Sequence, residues 1–270
     1  MAEDNDTTPI QGGVERKGAQ SLQRAISLLR EVARHNEQGI PLSRLARKTG
    51  LHVATAHRLL SALAQEGFLM HDPRSKLYHL GIELFVLGSA ARQFALRDHF
   101  RTALERIASE TGDTVFLLIR SGNDFLCIDR IEGQFPIRTI PLDIGIRRPL
   151  GIGAGSLALF AFLPEPQFAA ILAINALRYH QYKNLTAEDI RSMAAKARKA
   201  GYAVSEGLFY EGVTSIGVPI FGAQKQVIAA ITVSSISQRM DEKRRREIVR
   251  LVKKVARAED LASLPSGRSL

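Results

Sequence analysis

Of 270 residues, one is cysteine, none is tryptophan and 6% are aromatic. The lone Cys127 rules out an internal disulfide scaffold and points to a reducing compartment. Long apolar runs are missing as well. The longest, Leu150 to Leu163, is fenced by Pro149 and Pro164, broken by three glycines and a serine, and shorter than the about 20 residues a membrane-spanning helix needs. The first 15 residues hold no base and no apolar stretch, which excludes a signal or transit peptide. These absences predict a soluble, cytoplasmic chain with no membrane partner. With 45% apolar residues over this length, it can bury a core without staples.

Charge is what the chain has in excess. Its net charge is +10, unevenly spread. Residues 1–15 carry four acids and no base, residues 16–80 eleven bases against four acids, residues 81–238 sixteen against fourteen, and residues 239–270 ten against five. Five of the seven histidines (His35, His52, His57, His71, His79) also fall within 16–80. This profile suits a small anion-binding module joined to a nearly neutral one with another task. The alternative is a soluble protein with basic surface helices.

Residues 1–18 read as a disordered tail, being polar and poor in apolar residues. From Ser21, a possible cap, Leu22, Ala25, Ile26, Leu29 and Ala33 recur at helical spacing, predicting a helix that ends near Asn36. Pro41 opens a short second helix with Leu42, Leu45 and Ala46 inward, and Gly50 ends it. A third helix carries Ala56, Leu59, Leu60 and Leu63 on one face and stops at Gly67. Phe68–Met70 and Lys76–Leu80 then flank an Asp72-Pro73 turn, predicting a hairpin. Together these predict a helix-turn-helix followed by a wing, a geometry that projects the third helix into a DNA major groove.

The string Leu42-Ser43-Arg44-Leu45-Ala46-Arg47-Lys48-Thr49-Gly50-Leu51, with Thr55-Ala56-His57-Arg58-Leu59-Leu60 and Glu66-Gly67-Phe68-Leu69, resembles the winged helix-turn-helix of the isocitrate-lyase-regulator (IclR) family of bacterial transcription regulators. The likeness continues through Asp72-Pro73 and Tyr78-His79-Leu80-Gly81 to about residue 236. On the third helix, Arg58 and His57 are the long donors able to reach base edges, and Thr55 can meet a phosphate or a thymine methyl. Arg58 is the foremost candidate; its alternative is an internal pair with Glu66 or Asp72. Where relatives often carry Lys-Ser-Thr, this chain has Val53-Ala54-Thr55, so Val53 stands in place of a phosphate-binding cation and His52 is a partial substitute. Ser43 and Arg44 on the second helix, with Arg74 and Lys76 on the wing, are candidates for holding phosphates.

Residues 82–97 read as a linker helix with a break at Arg97-Asp98; in proteins of the resembling family this helix helps to dimerise the DNA modules. Residues 98–263 then form the second domain, and 264–270 a tail. Two strands flank Ser121–Asp124 and a third is expected over Phe135–Leu142. Helices follow at Ala154–Leu163, Gln167–Leu177 and Ala187–Ala200, then strands at Tyr202–Ser205, Thr214–Ile220 and Val227–Ser234, then a basic helix from Met240 to about Leu261. The order predicts an α+β fold, and the resemblance implies a GAF-like antiparallel sheet that binds an effector.

The glycine-rich turn before the first of these helices presents backbone N–H groups at a positive dipole end. Gly151, Ile152, Gly153, Ala154 and Ser156 are therefore candidate effector contacts, unless the glycines only let the loop pack tightly. Gly151, Ser156 and Leu157 stand where the family commonly has His, Gly and Lys. Ser205 and Gly207 replace family acids, which favours an anionic ligand. Ser205, Ser215 and Ser234 are candidate wall residues, with buried, satisfied hydroxyls as the alternative. Two rival readings remain. An enzyme reading rests on Gly151-x-Gly153-x-Gly155, which lacks the third glycine of a dinucleotide motif, and on Cys127, which has no neighbouring His. A non-specific architectural DNA binder leaves the large neutral domain unexplained. The expectation is a non-enzymatic, effector-responsive regulator, dimeric or tetrameric, on a palindromic double-stranded operator, with no cofactor or metal. The Lys243–Arg246 run is expected to be a solvated helix face.

Overall fold

The computed structural model describes residues 16–90, 95–137 and 142–258. The chain divides into two compact units, Met1–Ala91 and Arg92–Leu270.

In the first unit, helix α1 (Arg16–Ala33) leads through a turn to a short strand β1 (Ile40–Pro41), then α2 (Leu42–Thr49) and α3 (Val53–Gln65). Strands β2 (Leu69–His71) and β3 (Leu77–Leu80) form the wing, and α4 (Glu83–Ala90) follows. Helix α1 starts five residues before Ser21, so Ser21 is not its cap, and it ends at Ala33 rather than near Asn36. Its first turn lies ahead of the first buried position, so no periodicity betrays it. Pro41 also does more than open α2: with Ile40 it pairs with β3, making the wing a three-stranded sheet in the order β1-β3-β2. Gly50 caps α2 at φ +66°, a left-handed conformation that a side chain disfavours. Leu28, Val32, Ile40, Leu45, Leu60, Leu69 and Tyr78 pack as one core. Buried Glu31 ties α1 to α2 by accepting Arg34 at 2.8 Å and Lys48 at 3.0 Å.

The second unit opens with α5 (Ala95–Thr111). Arg97 and Asp98 lie inside this helix, so no break occurs there. Then come β4 (Thr114–Ser121), β5 (Asp124–Ile131), β6 (Arg147–Pro149), α6 (Ala154–Ala161), α7 (Glu165–Tyr179), α8 (Ala187–Ala200), β7 (Ala203–Glu206), β8 (Val213–Phe221), β9 (Val227–Ile236) and α9 (Glu242–Ala258). The strands make one antiparallel sheet ordered β6-β5-β4-β9-β8-β7. The α+β reading holds. The strand expected over Phe135–Leu142 is not found at its described ends, and its centre, 138–141, lies outside the described residues. The sheet's edge is instead β6, whose Arg-Arg-Pro sequence carries no strand pattern of its own. The expected tails 1–15 and 264–270 also lie outside the described residues.

Alternation sorts the strand residues onto two faces. Val115, Leu117, Ile216, Val218, Ile231 and Val233 face α5 and α9. Phe116, Leu118, Phe125, Cys127 and Ala230 face α6, α7 and α8. Helix α6 is wholly buried, and it sits against the sheet at two glycines. A Cβ on Gly155 would fall 1.9 Å from Thr232 Oγ1, and one on Gly217 2.2 Å from the Ala154 carbonyl oxygen. The second neighbour is backbone and cannot swing aside. Gly217→Ala should therefore cost about 1–3 kcal/mol, read as a fall in melting temperature of roughly 2–12 °C by calorimetry. An unchanged transition would refute this close seat.

Candidate functional site

The first unit presents a polar face. On α3, Ala56 and Leu60 point inward while Val53, Ala54, His57 and Arg58 are exposed and Thr55 is half-buried. Ser43 and Arg44 are exposed at the start of α2. Arg58, His57, Arg44, Arg74 and Lys76 make no side-chain hydrogen bond or ion pair among the described residues. The internal pair considered for Arg58 is thus not formed. His52 behaves differently: its Nδ1 accepts the Ala54 N–H at 3.4 Å, capping α3. The ring supplies the cap that the missing serine would have given, and to that extent is drawn away from DNA.

The wing turn is self-organised. Asp72 accepts the Arg74 N–H at 2.9 Å and the Ser75 hydroxyl at 2.6 Å. The Ser75 bond, aided by the backbone, holds the Asp72 carboxyl below its ordinary value. Lys76 leaves the turn at φ +59°. Arg74 and Lys76 are thereby set at the wing tip, exposed.

In the second unit the glycine-rich turn is buried from Leu150 through α6. Gly151 and Gly153 have φ +100° and +85°, and a Cβ on either would press on Ile190 at 2.8 Å or Phe209 at 3.0 Å. These glycines pack tightly. The turn is also held from α7, where Tyr179 donates its hydroxyl to the Leu150 carbonyl at 2.9 Å; Asn175 donates to the Asn123 carbonyl of the β4–β5 turn at 2.7 Å, the same carbonyl that accepts the Leu150 N–H. Burial pushes the Tyr179 phenol up to about 12. Ser156 is occupied, its Oγ accepting the Gly151 N–H at 2.9 Å.

One property of the turn is left unspent. No side chain caps α6, and among the described residues no acceptor meets the N–H groups of Ala154, Gly155 and Ser156. A buried helix start without partners is an anion-binding feature. The Thr232 hydroxyl, buried against Gly155, likewise makes no hydrogen bond. Ser205, Ser215 and Ser234 are brought into one row across β7, β8 and β9, with Thr114 next in line on β4. Ser215 and Ser234 bond each other at 2.6 Å, which satisfies both hydroxyls. The row faces the same side as α6.

Two residues that sequence reasoning missed stand near this turn. Arg148 of β6 lies opposite Phe125, and hence on the α6 side. Its guanidinium stacks 4.1 Å from the Phe209 ring centre, and Phe209 in turn covers Gly153. Only the pairing of β6 reveals this, because Arg147 and Arg148 are indistinguishable in sequence. Thr232 gave no signal beyond its place on a strand.

The comparisons agree over both units of the chain. A model described as "IclR helix-turn-helix domain" matches residues 21–73, and one described as "Bacterial transcriptional regulator IclR C-terminal" matches residues 88–261. The chain belongs to the IclR family of bacterial transcriptional regulators. It is 29% identical over 223 residues to the HTH-type transcriptional regulator KipR of Bacillus subtilis, covering 82% of this chain and 88% of that one. It superposes on the Thermotoga maritima IclR crystal structure with a TM-score of 0.68 at 27% identity, covering 88% and 96% of the two chains. An IclR homolog from Microbacterium hydrocarbonoxydans, crystallised with 4-hydroxybenzoate, shares the fold at a TM-score of 0.74 and 22% identity, covering 87% and 95%. This IclR-family protein is accordingly a DNA-binding regulator with an effector-binding C-terminal domain. Among the described residues no helix is long and apolar enough to cross a membrane, and no cluster of three His, Cys, Asp or Glu is placed to hold a metal.

Cys127 has the character of a core residue. It is fully buried, and burial pushes its thiol up to about 12. At pH 8 the native chain should react with a disulfide reagent at least about 100-fold more slowly than free cysteine, because so little thiolate is present. Unfolding in denaturant should restore full reactivity, and fast native labelling would contradict the burial.

Proposed function

We propose that the chain reads a palindromic operator as a homodimer or dimer of dimers in the cytoplasm, and that a small carboxylate at the start of α6 tunes its affinity, without catalysis. The observation that carries the DNA half is the uncommitted Arg58 on the exposed face of α3, flanked by Arg44 and by the wing cations. Ser43, Thr55, His57, Arg74 and Lys76 complete the surface, with Val53 placed to meet a thymine methyl. The dimer rests on α4 and the residue before it, where Phe85 is 71% and Ile82 69% exposed. Such side chains on one short segment are normally covered by a partner.

A bidentate arginine on guanine discriminates by about 1–3 kcal/mol. Arg58→Ala should therefore cut operator affinity about 10- to 100-fold while leaving non-cognate binding within a few-fold. Lys76→Ala should weaken both alike and flatten the salt dependence by about one unit of log–log slope per site lost. Fluorescence anisotropy on operator and scrambled duplexes measures both. Loss of affinity without loss of discrimination in Arg58→Ala would remove it from base reading.

The effector half rests on the unpaired N–H groups of 154–156. Arg148 adds the positive charge. The homolog crystallised with 4-hydroxybenzoate suggests an aromatic carboxylate as a first probe. Calorimetry with 4-hydroxybenzoate and benzoate, each against its neutral amide, should favour the acids. Arg148→Gln should lose at least about 10-fold in affinity, the scale of one charge-assisted hydrogen bond. Ser156→Ala should lower stability with little change in affinity, since its hydroxyl serves Gly151. Equal binding of acid and amide would overturn the carboxylate reading.

A further inference from the structure

Helix α7 has two apolar faces, and the fold uses only one. Phe168, Ile171, Leu172, Asn175 and Tyr179 are buried against the second unit. The opposite side carries Pro166, Ala169, Ala170, Ala173, Ile174 and Leu177, all exposed, with Ile174 at 60% and Leu177 at 82%. At 3.6 residues per turn these six fall in one stripe about 140° wide and about three turns long. No charged residue occurs between Glu165 and Arg178. Single exposed apolar side chains are ordinary, whereas a contiguous stripe free of charge marks a contact surface. Neither operator nor effector binding uses it.

We propose that this stripe packs on the same stripe of a second copy of the chain, the two helices running antiparallel about a two-fold axis. Side-chain size carries the argument. The N-terminal half of the stripe is small, with Pro166, Ala169 and Ala170, and the C-terminal half is large, with Ile174 and Leu177. Antiparallel pairing sets Leu177 of one copy over Pro166 of the other, Ile174 over Ala169, and Ala173 against Ala170. Large side chains then fill the space that small ones leave, and the helices can approach to about 8 Å. Parallel pairing would crowd one end and leave a gap at the other. The start of α7 has no side-chain cap, and antiparallel packing also brings its positive dipole end beside the negative end of the other helix. A surface matched to itself in this way is what a two-fold contact requires. The stripe is small beside the about 1,200–2,000 Å² buried in a stable complex, so it serves best between chains already paired elsewhere. It thus builds on the dimer-of-dimers reading, with α4 making the first contact and α7 the second, two of the latter acting together in a tetramer.

The test uses the full chain in analytical ultracentrifugation and in disulfide crosslinking. Leu177→Glu should halve the sedimenting mass while leaving the circular dichroism unchanged, because the side chain it replaces packs on nothing within its own chain. Leu177→Met should keep the original mass. With the two-fold axis midway along the stripe, two copies of residue 173 lie about 4.5 Å apart along the helix direction and two copies of residue 177 about 16 Å. A disulfide needs Cα atoms within about 7 Å. Mild oxidation should therefore join Ala173→Cys chains and spare Leu177→Cys chains, and buried Cys127 adds no background. Phe85→Glu separates this contact from the one at α4, since linkage at 173 should persist in it. Unchanged mass in Phe85→Glu with halved mass in Leu177→Glu would remove the α4 contact and keep this one. Halved mass in Phe85→Glu with Leu177→Glu neutral would overturn this contact and keep α4. Linkage at 177 rather than 173 would overturn the antiparallel arrangement, and linkage at neither would overturn the pairing.

Discussion

The second unit depends on a single close contact, the backbone of α6's first turn resting on the strands beneath it. Gly155 and Gly217 make the approach possible, and the other features follow from it. A helix start pressed onto a sheet cannot be solvated from below. Its entry loop must turn sharply, so Gly151 and Gly153 adopt left-handed conformations. The loop must also be held, which Ser156 and Tyr179 do through hydrogen bonds to its backbone. What remains is a short row of buried N–H groups with no acceptor. Burying such groups is costly unless something pairs with them, so the packing that stabilises this domain also leaves donors of the kind an anion pairs with.

Charge in the two units is used in opposite ways. On α9 the basic run looks in sequence like a solvated face, which holds for Lys243 and Arg246 but not for the two arginines between them. Arg244 bonds the Asp113 carboxylate at 2.8 Å and the Thr111 carbonyl at 2.7 Å, and Arg245 reaches Glu206 at 2.5 Å. Arg239 joins the same Asp113 at 3.3 Å and stacks over Phe135. These cations hold the end of α5 and the end of β7 in place. On the first unit, Arg44, Arg58, Arg74 and Lys76 have no such internal partners among the described residues. Total charge therefore says little about DNA binding; what matters is which cations lack an internal carboxylate.

Legibility followed the same division. Helices α2 and α3 are legible because each has a periodic apolar face and a chemical stop, Gly50 or Gly67, and the wing through its Asp72-Pro73 turn. Strands β4, β5, β8 and β9 are legible through alternation and the Gly122 turn. Helix α1's first turn is not, because it buries nothing of its own. β1 and β6 are not, because two or three residues hold no period and owe their shape to the strand beside them. Site residues divide likewise. Arg58 is legible from the motif, and the α6 turn from its glycines. The role of Arg148 depends on which side of β6 faces α6, which is settled by pairing with β5. The candidate serines are read correctly as residues on neighbouring strands, but Ser215 and Ser234 bond each other, an outcome fixed by register and invisible in one dimension.

The same register links the edge of the sheet to the first helix of the unit. Arg148 pairs with Phe125 on β5. Four residues further along that strand stands Asp129, fully buried, on the opposite face of the sheet. It accepts Arg101 at 2.9 Å and lies 3.7 Å from Arg97, both on α5. A register shift opposite Leu117 and Leu118 separates the two halves of β5, giving the strand a point where it can bend. A ligand couples to DNA only if it binds two arrangements of the protein unequally. Arg148 is paired to β5 on one face, and on the other β5 is fastened to α5, the first helix of the unit, through the buried Asp129 carboxylate.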